Sequence, residues 1–467
     1  MRKVLHPRDW GLQVSSSGEL MVGNFSAVAL AKEYGTPLHV VNEGRLVETA
    51  NDFRESVKSL YPGKTSVHYA YKCNSVPGIV QMVQSAGLKS EVVSEFELDL
   101  ALSLGHEGEE IIVNGPCKTD SFLRKCLENR VRLIIVDSLD ELEALDQICI
   151  LEDKNADILL RINPDYTPRG INKGAATGSR KGCAFGFDLK GGEVTAGFNL
   201  LKEMKRIHFL GFHFHIGTGI RDPRDYSKAL QCLDPLLACS RSAGLTVKIV
   251  DVGGGFASMT TRELTSRELL VYQGFERLPS GLSKGNHLTF KDFAGEISNT
   301  ILKYFPADKL PELLYEPGRC IVSPNQFLLL TVHRVKDRPG LRKWLITDGG
   351  LGTVTMPTFY EYHEVFLCND ITRPPTENVT ISGQACFASD VVYRNKLMPR
   401  VHAGEVLAIM DSGAYFTALE SSFGFARPGI VSVNGAAHRP IRRAETFEDS
   451  VCRDLLNNPI KVKEGRK

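Results

Sequence analysis

"DVGGGF", residues 251–256, is the stretch on which the fold turns. Strands that alternate with helices can close into a barrel or open into a doubly wound sheet, and a dinucleotide-binding open sheet carries its glycines directly after the first strand. Here the run of three glycines follows the seventh strand-like segment instead. Outward from it, eight apolar runs alternate with helical patterns: "SVHYAYK" (66–72), "SEVVS" (90–94), "EIIVN" (110–114), "RLIIVD" (132–137), "DILLRIN" (157–163), "IHFLGFHFH" (207–215), "KIVDV" (248–252) and "ELLYE" (312–316). Amphipathic segments such as "SEFELDLALSLG" (94–105), "KTDSFLRKCLENR" (118–130) and "RDYSKALQCLDPLLACSRSAG" (224–244) separate them. Eight such units predict an α/β fold with a TIM-type (β/α)8 barrel over residues 43–320.

Beyond residue 320 the rhythm becomes short β-rich runs: "QFLLLTVHRV", "KWLITDG", "HEVFLC", "NVTISG", "EVLAIM" and "GIVSVNG". These predict a second, all-β domain, a sandwich or barrel over 321–467. The early run "TPLHVVN" (36–42) is a ninth strand with no place in an eight-stranded barrel, so residues 1–42 are expected to join that domain. The Gly- and Lys-rich segment 165–193 is too long for a simple connector and reads as a functional or mobile loop.

Composition narrows the function. The 467 residues carry 56 Lys and Arg against 55 Asp and Glu, so no net field recruits nucleic acid or an acidic membrane. The expected partner is a small molecule. Eleven cysteines without a CxxC pair favour free thiols in a reducing compartment. The first twenty residues hold no apolar signal core, and no later run is long enough to span a membrane, so the expected location is cytoplasmic.

Barrel chemistry collects at the C-terminal ends of the strands. In "VHYAYK" the period of two puts His68, Ala70 and Lys72 on one face, with Lys72 last. On an inner face, burial would lower the lysine's pKa and free a nucleophilic amine able to form a Schiff base; a lone lysine there can equally snorkel to solvent. "GFHFHIGTG" ends its strand with His215, while His213 one layer deeper reads as a core histidine. No Cys, Asp or third His stands at ligand spacing beside this pair, so no metal is expected. Gly253, Gly254 and Gly255 let backbone N–H groups approach a phosphate, though three glycines also make a tight turn. "YEPGR" ends the eighth strand with Glu316 and sets Arg319 just beyond it. An amine, an imidazole, a phosphate cradle, a carboxylate and a guanidinium then converge on one barrel mouth, which is the outline of a pyridoxal phosphate site.

The motifs "YKCNS", "NGPCKTD", "LRINPD", "HFHIGTG", "DVGGGF", "EPGR", "DGG", "CFASD" and "SGAY" occur in this order over nearly the whole length. In this set the chain resembles the fold-type III pyridoxal-phosphate-dependent decarboxylases, the family of diaminopimelate and ornithine decarboxylases, with an alanine racemase-like two-domain architecture. The resemblance implies roles. Lys72 corresponds to the Schiff-base lysine, His215 to the histidine stacked on the ring, and Glu316 to the partner of the pyridine nitrogen. Gly253, Gly254, Gly255 and Arg319, with Gly318 before it, correspond to the phosphate site. Arg161, Thr218 and Tyr415 line the cofactor pocket, and Cys386 corresponds to the cysteine that protonates the α-carbon once carbon dioxide has left. Asp348, Met356, Tyr360, Phe387 and Asp390 fall at substrate positions. The resemblance also implies a homodimer in which the barrel of one subunit and the β domain of the other share each site.

Three departures concern the substrate. Where the family has an acid that binds the distal ammonium, this chain has Phe387, and an aromatic ring cannot neutralise a buried cation. The arginine that grips the distal carboxylate of diaminopimelate aligns with Met356 in "MPTFY". The lysine of the family's "KFG" loop is Ala184, with Lys181 nearby as a possible substitute. The expectation is decarboxylation of an amino acid or conjugate with an atypical distal end, as in specialised metabolite biosynthesis. The alternatives are a meso-diaminopimelate decarboxylase making L-lysine with distal contacts from Tyr360, Glu361 or His363, a pyridoxal-dependent racemase, and a non-catalytic regulatory homologue.

Overall fold

The computed structural model describes residues 5–171, 175–282 and 288–455. Its first domain is built on strands β1 Thr65–Ala70, β2 Lys89–Val92, β3 Ile111–Val113, β4 Leu133–Val136, β5 Ala156–Asn163, β6 Ile207–Phe214, β7 Ile249–Asp251 and β8 Glu312–Tyr315. Each pairs in parallel with its neighbours, and β8 pairs with β1 to close the ring. The eight expected strands are therefore all present, in a closed barrel. The first strand is shorter than its pattern suggested: it stops at Ala70, and Tyr71–Cys73 form a tight 3-10 turn that carries Lys72.

The helices start where their side chains supply caps. Ser94, Thr119 and Ser138 each accept the amide of the third residue of the helix that follows, a bond of about 1 kcal/mol. The segment 224–244 departs from the single helix expected. It divides into Arg224–Ala229 and Leu233–Ser242, joined by a 3-10 turn at Leu230–Cys232. Pro235 has no amide to donate to the preceding turn, which places the break there.

Alternation along the strands stacks the barrel interior in layers. Ile112, Leu133, Ile135, Leu159, Ile249 and Leu314 form a compact apolar cluster within it. Two residues further along five of these strands stand Asn114, Asp137, Arg161, Asp251 and Glu316, all buried. The barrel is thus sealed with hydrocarbon below and crowded with polar groups above.

The second domain is mostly β. Leu38–Asn42 lies between Gln326–Arg338, antiparallel, and Gly429–Asn434, parallel. Gln326–Arg338 continues to Arg342–Thr347 and also pairs with Val406–Ile409. Short strands such as Gln13–Val14, Leu20–Val22 and Phe25–Ser26 were not read from the sequence, nor were two longer ones. Val391–Pro399 is bent at Asn395, which has φ 56°, and Ala437–Arg442 is a polar strand that contains Pro440, so neither shows clean apolar alternation. Among the described residues no helix is long and apolar enough to cross a membrane.

Candidate active site

Lys72 stands at the lip of the barrel, its side chain 32% exposed, and its Nζ donates to Glu91 Oε2 at 2.7 Å. The sequence reading expected burial to lower its pKa. Burial does act in that direction, but the carboxylates of Glu91 and Glu316 outweigh it and hold the ammonium above its ordinary value. Glu91 was not singled out beforehand. It is fully buried on β2, and burial lifts its carboxyl to about 7 against the pull of Lys72. An acid in the middle of the apolar run "SEVVS" was the signal that could have found it.

The glycine loop after β7 is built for close approach. A Cβ on Gly253 would lie 2.2 Å from the Phe214 carbonyl oxygen, one on Gly254 2.3 Å from that of Glu316, and one on Gly255 2.2 Å from that of Gly217. Gly253 and Gly255 also hold φ of 67° and 96°, where side chains are strained. Gly254 N–H donates to His215 Nδ1 at 3.2 Å, so the neutral imidazole carries its proton on Nε2. Burial, then Lys72 and Arg161, keep that imidazole neutral.

Arg319 is buried between two partners. Its Nη1 meets Glu361 Oε1 at 2.5 Å, its Nε donates to Thr218 Oγ1 at 3.1 Å, and its guanidinium carbon lies 4.9 Å from the centre of the Tyr415 ring. Among the described residues its Nη2 has no partner. Gly318 permits this placement, since a Cβ there would come within 2.9 Å of Cys73 Cβ. A cavity of about 350 Å3 opens between His215, Thr218, Arg319, Met356, Tyr360 and Tyr415. An orphaned guanidinium nitrogen on a residue lining this cavity, together with a glycine loop that excludes side chains, fits the phosphate end of pyridoxal phosphate, and Lys72 and Glu316 fit its other two points of attachment.

Glu316 ends β8 inside the barrel. Asn114 Nδ2 lies 3.4 Å from its Oε1, and His213 Nε2 3.4 Å from its Oε2. Arg161 Nη1 reaches Asn114 Oδ1 at 3.3 Å and Asp137 at 3.5 Å. The carboxyls missing from the local sequence around His213 arrive from β7 and β8: Asp251 and Glu316 bring oxygens to within 4.8 Å of it and of each other. His213 is fully buried, as a core histidine would be, and its partners are the polar groups Asn114 and Glu316. Asn114 sits inside the quoted motif "NGPCKTD", yet its role depends on three strands meeting, which spacing along one strand does not display.

The remaining predicted residues lie elsewhere. Asp348 and Asp390, expected at the substrate, have their oxygens engaged within the β domain. Asp348 accepts from Thr36 Oγ1 at 2.5 Å and Thr331 N at 3.0 Å; Asp390 accepts from Leu351 N at 2.6 Å and Ala385 N at 2.8 Å. They pin the walls of a second recess, lined also by Phe387, Phe423 and Phe425. Phe387 is 46% and Phe423 52% exposed, with ring centres 5.7 Å apart, and Cys386 beside them is exposed. None of the three lines the cavity at the barrel mouth. Glu361 and His363, offered as alternative distal contacts, are buried and bonded to each other at 3.0 Å as well as to Arg319 and the Met410 carbonyl. Lys181 and Ala184 are exposed on their loop; it is Phe185 that the loop lays against Arg161, at 4.3 Å. Residues 172–174 of that loop fall outside the described residues.

Comparison with known proteins agrees with this geometry. Residues 44–323 match the pyridoxal-binding domain of pyridoxal-dependent decarboxylases. The chain is 30% identical to diaminopimelate decarboxylase of Methanocaldococcus jannaschii, over 94% of this chain and 95% of that protein, and 30% identical to that of Bacillus subtilis, over the same shares. The crystal structure of the M. jannaschii enzyme superposes with a TM-score of 0.84 at 28% identity, over 96% of this chain and 98% of that one.

Proposed function

From the premise that the chain belongs to the pyridoxal-dependent decarboxylase family, we propose that its substrate is an amino acid or amino-acid conjugate whose distal end lacks the charge of diaminopimelate or ornithine. The chain is a carboxy-lyase that uses pyridoxal phosphate. When bound, that group supplies an electron sink for the bond to the departing carboxylate. Lys72 would hold its aldehyde carbon, with Glu91 fixing the amine. Gly253, Gly254, Gly255 and Arg319 would take the phosphate, Glu316 would serve the ring nitrogen, and neutral His215 would support the ring. Arg161, Thr218 and Tyr415 wall the pocket, and Cys386 returns a proton to the α-carbon.

The observation that carries the substrate reading is the aromatic pair Phe387–Phe423 in a recess whose two acids, Asp348 and Asp390, already accept hydrogen bonds from their own domain. A distal ammonium set there would be desolvated without a partner, at a cost of several kcal/mol. At the mouth, Met356 replaces the guanidinium that a distal carboxylate needs, and Glu361 is engaged with Arg319. The exposure of Cys386 and Phe387 outside that mouth supports a homodimer in which a second copy of the chain completes each site.

The named relatives support a second reading, meso-diaminopimelate decarboxylation to L-lysine, with Tyr360 as the remaining polar contact at the mouth. Carbon dioxide release from purified protein, measured over acidic, basic, aromatic and conjugated amino acids of both configurations, separates the two. Preferred turnover of an uncharged or conjugated side chain supports the first reading, and strong turnover of meso-diaminopimelate overturns it.

A further inference from the structure

Beside Glu316 lies a second acid to which the chemistry above gives no part. Asp251, on β7, is fully buried. Its Oδ1 accepts the Gly253 amide at 2.8 Å, and among the described residues no N–H or neutral O–H donor reaches its Oδ2; a hydrogen bond between Asp251 and Glu316 forms only when one of the two acids keeps its proton. A carboxyl oxygen of Asp251 lies within 4.8 Å of Glu316 and of His213. The Glu316 amide in turn donates to the Gly253 carbonyl at 2.9 Å, so acid, glycine loop and Glu316 form one connected unit.

Two carboxylates this close in a dry barrel cannot both ionise cheaply. The neighbours decide which one keeps its proton. Burial and the charges of Glu316 and Glu91 push Asp251 strongly toward the neutral acid. Burial also raises Glu316, but Lys72, Arg161 and the Asn114 amide favour its charged form. His213 adds no charge, since burial, Arg161, Lys72 and Lys118 keep it neutral.

We propose that Asp251 is a positioning residue: it shares one proton with Glu316, which leaves a single negative charge on the oxygen facing the ring nitrogen, and it anchors Gly253 of the phosphate loop. One side chain then couples the two ends of the cofactor site. The proposal rests on the reading that Glu316 faces the ring nitrogen, and that reading has its own control.

The test is the 15N chemical shift of the ring nitrogen in holoenzyme loaded with 15N-labelled pyridoxal phosphate, followed across neutral pH, together with cofactor affinity. Glu316→Gln is expected to move the shift to the unprotonated position; if it does not, the placement of Glu316 is wrong. Asp251→Asn keeps a neutral donor and is expected to retain the protonated shift, with affinity within about threefold of wild type. Asp251→Leu loses both bonds and is expected to weaken cofactor binding about tenfold and bring ring deprotonation to lower pH. A shift in Asp251→Asn that matches Glu316→Gln overturns the shared proton, and an unchanged Asp251→Leu overturns the positioning role. If the leucine variant does not fold, the asparagine variant still decides. It is expected to be at least as stable as wild type above neutral pH, because it has no carboxyl to ionise, and a lower stability there overturns the proposal.

Discussion

At the barrel mouth the charged groups are paired with one another and partner-less atoms point inward, whereas around Cys386 the charges are tied to their own backbone and the aromatic rings face solvent. Lys72–Glu91, Arg319–Glu361 and the Asn114–Glu316 contact all lie within 3.4 Å, yet Arg319 Nη2 and Glu91 Oε1 remain unpartnered. Such a region is built in advance for a ligand. The recess instead keeps Phe387, Phe423 and Phe425 partly exposed beside acids that already accept hydrogen bonds. The difference teaches that the groups able to hold the cofactor are assembled at one mouth, while the residues on which the proposed substrate reading rests lie in a separate recess of the β domain.

The sharpest way to break that division is to disable its halves separately. Lys72→Ala removes the anchor of the mouth and is expected to lower the rate of decarboxylation on the order of a thousandfold or more, with loss of the bound-cofactor absorbance band. Cys386→Ala disables only the recess, and a loss of between about 10² and 10⁴ in rate with unaltered cofactor affinity is expected. If two copies share each site, mixing the two inactive variants and allowing subunits to reassort restores about a quarter of wild-type activity, since half the dimers are mixed and each holds one intact site of two. Failure to restore activity in a confirmed mixed dimer would return both residues to one chain.

A smaller effect sharpens the substrate side. Phe387→Glu places a carboxylate where the ring stood and is expected to raise kcat/KM for diamino acids by about 10- to 100-fold, while lowering it for the native substrate. Steady-state kinetics on ornithine, lysine and meso-diaminopimelate would check this. No gain on any of them means that the distal group does not reach the recess.

The fold was legible because both regions announce themselves by period. Eight apolar runs, with "DVGGGF" in the seventh unit, gave a closed barrel, and the ninth strand at Leu38–Asn42 finds its partners in the later β runs. Residues at strand ends, Lys72, His215, Glu316 and Arg319, were legible for the same reason. Others were not, because their meaning comes from neighbours on different strands. Glu91 matters through Lys72, Asn114 and Asp251 through Glu316, and Glu361 through Arg319 across 42 residues of chain. Asp348 and Asp390 line the recess beside Phe387, where the motifs put them, but their oxygens already accept hydrogen bonds from the chain around them, which residue type alone does not display.

The gentlest probe of the mouth is pH. Glu91 has an ordinary carboxyl value of 4.5 and is lifted to about 7 by burial, which the nearby Lys72 only partly offsets. The native protein therefore binds a proton at Glu91 between those two values that the unfolded chain has released. Its contribution to stability is fully present below pH 4.5 and is lost as pH rises through 7. Glu91→Gln removes this linkage, so the unfolding free energy of the variant is expected to decline less across that window than that of wild type. Lys72, no longer held by a carboxylate, becomes easier to deprotonate. The cofactor-free proteins, unfolded by urea at a series of pH values, make the comparison directly. Parallel pH profiles for variant and wild type would mean that the carboxyl of Glu91 titrates normally, and that Lys72 is held in place by the pocket wall instead of by its charge.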